Sequence, residues 1–282
     1  MKFVHEKNIN PFLALASSIG PQGLDVTLAA LKHGAYVAGG CARVACSSRS
    51  LDAIDNKPAT LRLIDYLDVH NHVDVKEFGN PHYRRGRGDI DVFFSNVDSL
   101  GKFLNSSERR SVECVRTTNY AQTHVTTTGA LIQVITGFIH PIKEQLSRFD
   151  LLNAMVAFND KEVIAAEGWR EADDAAVLNI VNWAGPFIVS RAAKWIRRHR
   201  LRSIAAETAS RLAERALETG AELRQQPIKT SWGSWTTDRH FARLKLLLPY
   251  FDDRSLLLLT SAYAGDEYQS AFQELHKRHT LP

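Results

Sequence analysis

Hydrophobic and polar positions change in short blocks through the first 160 residues and follow a helical period in the rest of the chain. Residues 22–33 carry leucine and valine at helical spacing, and Gly34 is typical of the residue that follows a helix. An apolar strand is predicted over 35–38, followed by a Gly-Gly pair and a second helix from Cys41. The pattern therefore predicts a strand, a glycine turn and a helix near the start of the chain.

Further strands and helices alternate up to about residue 160, and helices dominate afterwards. We predict strands over 89–94, 114–125 and 130–135, helices over 60–69, 97–104, 141–146, 171–183, 186–223 and 238–277, a loop over 77–88, and either a strand or a buried helix over 151–158. The fold class expected is α/β, a mixed sheet with helices followed by a helical C-terminal region. The two domains expected are residues 1–165 and 166–282.

Composition excludes several classes of protein. The chain has 282 residues, of which 44% are hydrophobic and 23% charged, so intrinsic disorder is excluded as its overall state. Cys41, Cys46 and Cys114 form no CxxC pair, which argues against a disulfide scaffold and a cysteine-rich zinc site. With no signal-peptide pattern and no long apolar run, we expect a cytoplasmic protein without a membrane segment. The formal net charge of +4 permits an anionic partner without requiring one. The sequence does not indicate the oligomeric state.

Two carboxylates in the segment GDIDVFF carry the candidate chemistry. Asp89 and Asp91 lie at i and i+2 of a predicted strand, where they share one face and could hold a hard divalent cation such as Mg²⁺ or Mn²⁺. Gly39 and Gly40 lead into a predicted helix, whose first N–H groups favour phosphate. The alternative interpretation is a solvated strand edge and an ordinary tight turn.

The order VAGGCAR and then GDIDVFF resembles the DNA polymerase β-like nucleotidyltransferase superfamily. Within it, VAGGCAR is similar to the opening motif of the branch that contains CCA-adding enzymes and poly(A) polymerases, with Arg43 at the arginine position and Val44 where that branch has aspartate. The segment RFDLLNAMVAF, with Asp150 and Asn153, resembles a further motif of the same branch. The segment RAAKWIRRH resembles a basic helix of small bacteriophage-type members.

This resemblance implies a metal-dependent enzyme that moves a nucleoside monophosphate from an NTP, such as ATP, to a hydroxyl acceptor, with RNA or tRNA as the expected acceptor. It implies catalytic and metal-binding roles for Asp89 and Asp91, and nucleotide binding by Gly39, Gly40, Arg43 and Asn153. The third carboxylate of the superfamily is not evident, because Gln133 stands at the expected position. Asp150 is the substitute candidate, and its alternative role is a helix N-cap.

The long span between the two motifs implies an insertion at about residues 45–87. Arg84, Arg85 and Arg87 end this insertion, and they either hold the triphosphate or form a solvated run of charge. Further along, Arg191, Lys194 and Arg198 share one helical face in a stretch without acids, so they could contact an RNA acceptor, contact the triphosphate, or serve solubility. The rival functions are a toxin-like transferase that modifies tRNA or protein, and a catalytically impaired protein that binds nucleotide or RNA.

Overall fold

The computed structural model describes residues 1–48, 58–67, 88–183, 185, 187–230, 233–262 and 266–280. The chain divides into two compact units, Met1–Asp174 and Ala175–Pro282. Within the described residues, no helix is long and apolar enough to cross a bilayer.

The described residues of the first unit form eight strands and the helices between them. Its strands are β1 Phe3–Glu6, β2 Ala35–Ala38, β3 Ile90–Phe94, β4 Glu113–Thr117, β5 Ala121–Val125, β6 Leu131–Ile135, β7 Val156–Phe158 and β8 Val163–Ala166. Its helices are α1 Asn10–Ala16, α2 Gly20–Lys32, α3 Gly39–Cys46, α4 Ala59–Leu67, α5 Val97–Leu104, α6 Ser107–Arg110, α7 Ile142–Ser147 and α8 Trp169–Asp174, with a 3₁₀ helix at Leu152–Ala154. The fold is therefore mixed α/β, as the sequence predicts.

All eight strands form one mixed sheet in the order β1-β8-β7-β2-β3-β6-β5-β4. At its centre, β2 and β3 are antiparallel with Ala38 opposite Asp91, and β3 and β6 are parallel with Asp91 beside Gln133. The C-terminal end of β2 and the N-terminal end of β3 thus lie side by side, which brings the glycine pair next to the acidic strand.

The two faces of this sheet are covered differently. One face packs Ile90, Val92, Phe94 and their neighbours against the large core that the N-terminal helices complete. On the other face, Ile142 and Leu146 of α7 pack on Ala157 and Ile164. Burial of these apolar side chains is the main term that holds the layers together.

In the part of the second unit that the structure describes, helices dominate and there are two small strand pairs. Its elements are β9 Val177–Leu178, α9 Ile188–His199, β10 Ser203–Ile204, α10 Ala206–Gln225, β11 Ile228–Thr230, β12 Gly233–Trp235, α11 Thr237–Lys245, a 3₁₀ helix at Leu248–Tyr250, α12 Asp253–Ala262 and α13 Asp266–Thr280. Strand β9 pairs in parallel with β10, and β11 pairs with β12 as a hairpin.

Some elements differ from those predicted. Helix α3 begins at Gly39 rather than at Cys41. The stretch 114–125 is a hairpin of two strands, because the chain turns back at residues 118–120, where the Thr118 hydroxyl accepts hydrogen bonds from the Tyr120 and Ala121 amides. The segment 151–158 divides into the 3₁₀ helix and β7.

Candidate active site

The turn between β2 and α3 is shaped by Gly39. Its φ of +75° lies in the left-handed region that glycine adopts without strain. A Cβ at this position would lie 3.3 Å from Oδ2 of Asp91 and 4.0 Å from Cε2 of Phe149. The missing side chain therefore lets a carboxylate of β3 approach the first turn of α3.

Both acids of the GDID segment lie beside this turn. Asp89 immediately precedes β3 and Asp91 is its second residue, and both side chains are half-buried. The thiol of Cys41, buried in the first turn of α3, has its pKa raised by burial and further by the negative charges of Asp91 and Asp89. Gly39, Gly40, Asp89 and Asp91 are thus gathered at one edge of the sheet.

A second glycine places the start of β3. The Gly88 amide donates a 2.7 Å hydrogen bond to the carbonyl of Tyr66, near the end of α4. A Cβ on Gly88 would lie 2.1 Å from Cε1 of the Tyr66 ring, so a side chain has no room there. This contact fixes the backbone next to Asp89.

Gln133 lies directly beside Asp91 on the parallel strand β6. Its Nε2 donates a 3.3 Å hydrogen bond to Oγ1 of Thr123 on β5. Among the described residues, no group of three or more histidine, cysteine or acidic side chains is placed to hold a metal ion. Two carboxylates nevertheless suit Mg²⁺, which commonly takes one or two carboxylates together with substrate phosphates.

Asp150 follows α7, one residue after the Phe149 ring that lies near Gly39, and its side chain is half-buried. The 3₁₀ helix at Leu152–Ala154 has Leu151 at its N-cap and no side-chain cap. Both roles of Asp150, as a ligand in a metal site and as a cap of a helix, stay predictions. Asn153 is fully buried, and its backbone carbonyl accepts a 3.1 Å hydrogen bond from Nε1 of Trp169.

Arg43 lies one turn further along α3 and points into the protein. Its side chain is 1% exposed and forms an ion pair with the equally buried Asp173 of α8. The second oxygen of Asp173 accepts a hydrogen bond from the Ser47 hydroxyl, and Nη2 of Arg62 on α4 donates to the Ser47 carbonyl at 2.5 Å. Arg43 thus joins α3 to α8, and its buried side chain offers almost no surface to a nucleotide. The sequence held no signal for Asp173, which is far away along the chain.

The remaining predicted site residues lie elsewhere. Arg84, Arg85 and Arg87 fall outside the described residues. Arg191 and Lys194 are exposed on α9 and Arg198 is half-buried there, so one helical face carries all three, in the second unit.

Comparison with known proteins was made by family model, by sequence and by structure. The model described as "Gabija anti-defense 2 family protein" matches residues 7–170. No curated protein matches the chain. Among solved structures, a CCA-adding enzyme in complex with ATP is 16% identical to this chain, with a TM-score of 0.52. The match covers 100% of this chain and 71% of the enzyme chain. A Thermotoga maritima CCA-adding enzyme complexed with tRNA is 15% identical, with a TM-score of 0.44 and coverages of 100% and 75%. At such identity, the likeness to the ATP complex establishes the fold alone, which is that of CCA-adding enzymes.

Proposed function

The chain belongs to the Gabija anti-defense 2 family, and we propose that it is a nucleotidyltransferase that moves a nucleoside monophosphate from an NTP to a hydroxyl acceptor. One observation carries this proposal: a carboxylate of the Asp89–Asp91 pair abuts the glycine that opens α3. The pair supplies ligands for a cation, and the helix start supplies donors for phosphate.

The first turn of α3 is the proposed binding site for the phosphates. The amides of its first residues have no partner within the helix, and the helix dipole adds partial positive charge. Gly39 and Gly40 carry no side chain that would hold a phosphate away from these amides. The leaving pyrophosphate is therefore expected on the β2 side of Asp91.

Asp89 and Asp91 are the proposed ligands for Mg²⁺ or Mn²⁺. When bound, the metal ion neutralises charge on the phosphates and lowers the pKa of an attacking hydroxyl. In the transfer, the acceptor oxygen forms a bond to the α-phosphorus and the bond from that phosphorus to the β-phosphate oxygen breaks. Pyrophosphate leaves with the electron pair, and the hydroxyl proton passes to a carboxylate of the site or to water. The residues of the chain contribute mainly positioning and electrostatic stabilisation.

RNA is the acceptor we favour, because α9 exposes a basic face that suits a polyanion. Among RNAs, tRNA is the class that the resemblance of VAGGCAR to the motif of CCA-adding enzymes implies. The structure of this fold that is complexed with ATP agrees with an NTP as substrate. The family description names an anti-defence role against Gabija, so we propose that the transfer serves this role.

The direct experiment is incubation of the protein with each α-³²P-labelled NTP, Mg²⁺ and total RNA, followed by gel analysis. Wild-type protein should label RNA, and Asp91→Asn should reduce labelling by about a hundredfold to a thousandfold, as expected when a charge-stabilising group is lost. Asp25→Asn on α2 is the matched control for removal of one carboxylate and should label as wild type. No labelling by the wild type with any NTP, on RNA or on added protein, would contradict the proposal.

A second candidate function is nucleotide binding without turnover, and the position of Gln133 favours it. A neutral amide lies beside Asp91 where a third carboxylate would complete the charge around two metal ions. Under this alternative, Mg²⁺-dependent NTP binding would be measurable by calorimetry and would be lost in Asp91→Asn. NTP consumption by the wild type separates the two functions.

A further inference from the structure

A row of side chains crosses the sheet at the level of Asp91. In-register pairing places one residue from each strand in this row, in the order His5, Ile164, Ala157, Ala38, Asp91, Gln133, Thr123 and Arg116. Directly paired residues share a face, so these side chains all lie on the side of the sheet that carries α7. The row continues from Asp91 in two directions of different chemistry.

Toward β8, the row is apolar and covered. Ala38, Ala157 and Ile164 are buried in one cluster with Ile142 and Leu146 of α7. Toward β4, the row is polar. Gln133 and Arg116 are half-buried, and Thr123 between them is buried, with its hydroxyl accepting a hydrogen bond from Nε2 of Gln133. A polar molecule that extends from Asp91 across the sheet therefore finds half-buried polar side chains on β6 and β4, whereas the neighbouring positions on β2, β7 and β8 are apolar and buried.

A β-bulge brings Arg116 into the row. The register of β4 shifts between Cys114 and Arg116, so that Cys114 pairs with His124 and Arg116 pairs with Thr123. Without this extra residue, Val115 would lie opposite Thr123 instead. Bulges commonly redirect a side chain near a functional site, and this one puts a guanidinium at the polar end of the row.

The in-line course of the proposed reaction selects the same direction. The attacking and leaving oxygens lie on opposite sides of the transferred phosphorus. The pyrophosphate is expected at the start of α3, on the β2 side of Asp91, so the acceptor approaches from the β6 side. Arg116 lies three strands from Asp91, about 14 Å at the usual strand spacing, so it would contact a different part of the acceptor from the reacting hydroxyl.

We propose that Gln133 and Arg116 line the binding track for a single-stranded RNA acceptor, with the buried Thr123 hydroxyl orienting the Gln133 amide and Arg116 contacting a backbone phosphate upstream of the reacting 3′ hydroxyl. This inference rests on the proposed function and narrows its acceptor to a polynucleotide. A small alcohol would end before Arg116, whereas a polynucleotide carries a second anion at that distance. Arg116 is half-buried on the edge strand, where a guanidinium can form bidentate contacts with phosphate.

The test measures binding of 5′-fluorescein oligoadenylate RNA of two and eight nucleotides by anisotropy, with Mg²⁺, across a series of salt concentrations. Arg116→Ala should weaken binding of the eight-nucleotide RNA about tenfold and reduce the magnitude of the salt slope by about 0.7. Binding of the two-nucleotide RNA should hardly change. Arg116→Lys keeps the charge and should keep the slope, with part of the affinity lost.

Arg110→Ala is the matched control, since Arg110 is an exposed arginine of the same unit whose Nη2 donates to the Asn105 carbonyl. It should leave the binding of both RNAs close to wild type. If Arg116→Ala and Arg110→Ala weaken RNA binding equally, the proposed track is wrong. It is also wrong if Arg116→Ala weakens binding of the two-nucleotide and eight-nucleotide RNAs to the same extent. RNA that fails to bind while NTP is still consumed would also overturn it and leave the proposed function standing. A wild-type protein that does not bind or does not consume NTP would instead contradict the proposed function itself.

Discussion

At the scale of single residues, Asp150 decides how many carboxylates the site contains. It lies next to Phe149, whose ring approaches Gly39. We therefore expect Asp150→Asn to reduce Mg²⁺-dependent transfer nearly as much as Asp89→Asn, because asparagine keeps the shape and removes the charge. Steady-state transfer rates over a Mg²⁺ titration measure this. Full activity of the Asp150→Asn variant would assign Asp150 a structural role, since asparagine caps helices about as well as aspartate.

His124 on β5 predicts how stability depends on pH. Its side chain is completely buried, and neither ring nitrogen has a hydrogen-bond partner among the described residues. Burial, with a smaller effect of the nearby Arg109 charge, lowers the pKa of His124 to about 4 from its ordinary 6.5. Between these values the unfolded chain binds the proton and the folded chain does not, so stability should fall as the pH decreases from about 6.5 to about 4.

Between pH 6.5 and pH 4 the free energy of unfolding should fall by about 3 kcal/mol. Each pKa unit of difference between the folded and unfolded chains corresponds to about 1.4 kcal/mol. Urea unfolding at pH 7.0, 5.5 and 4.5 measures it. His124→Phe removes the titrating group and should flatten that part of the pH dependence, whatever its effect at pH 7. An unchanged slope in the His124→Phe variant would assign the acid sensitivity to other groups.

Part of the residue-scale site could be predicted from the sequence, because it depends on local spacing. Residues i and i+2 of a strand must share a face, so the pairing of Asp89 with Asp91 follows from GDIDVFF alone. The burial of Arg43 could not be predicted, because its partner Asp173 lies far along the chain and approaches only when α8 packs. Likewise, the bulge that orients Arg116 leaves no local sequence signal.

At the scale of elements, α3 is held at both ends. Its start lies against Asp91, and its last turn is tied to α8 through the buried pair of Arg43 and Asp173 and the Ser47 hydroxyl. Asp173→Asn would leave the Arg43 guanidinium buried without its counter-ion, which should cost about 3 kcal/mol of folding free energy. Denaturant unfolding measures this loss.

Asp174→Asn is the matched control for this prediction. Asp174 is the adjacent, exposed residue, and its Oδ1 accepts a 2.7 Å hydrogen bond from the Ser48 hydroxyl. Its substitution should change stability by only about 0.5 kcal/mol. Similar losses for the two variants would mean that the buried ion pair does not hold α3.

Among the elements, β2 and α5 were predicted with the bounds that the structure has, because a strong apolar pattern is bounded by glycine or asparagine in each case. The Asn96 side chain accepts a 2.8 Å hydrogen bond from the Ser99 amide and so begins α5. Strands β1 and β8 were not predicted. They are short elements at one side of the sheet, and β1 pairs with a strand that is distant in sequence, so only the tertiary fold defines it.

At the scale of the whole molecule, the α/β class was predicted and the order of the strands was not. A central β2-β3-β6 arrangement requires both antiparallel and parallel neighbours, and single-sequence periodicity does not distinguish them. The glycine turn and the acidic strand nevertheless had to meet for the predicted chemistry, and β2 and β3 are indeed neighbours. The motif order therefore constrained the topology at one point, the centre of the sheet.

The second unit carries the basic face of α9, and its role in acceptor binding is a prediction for the intact chain. A triple variant that replaces Arg191, Lys194 and Arg198 by Gln should raise the Michaelis constant for RNA severalfold and leave the Michaelis constant for NTP unchanged. The expected reason is the loss of three cations that would meet RNA phosphates. The matched control replaces Arg239, Arg243 and Lys245 of α11 by Gln, which removes the same charge from another helix of this unit.

If the two triple variants raise the Michaelis constant for RNA equally, the effect is one of net charge. If the α9 variant raises the NTP constant instead, the face belongs to nucleotide binding. A selective rise for RNA with the α9 variant alone would assign this helix to the acceptor.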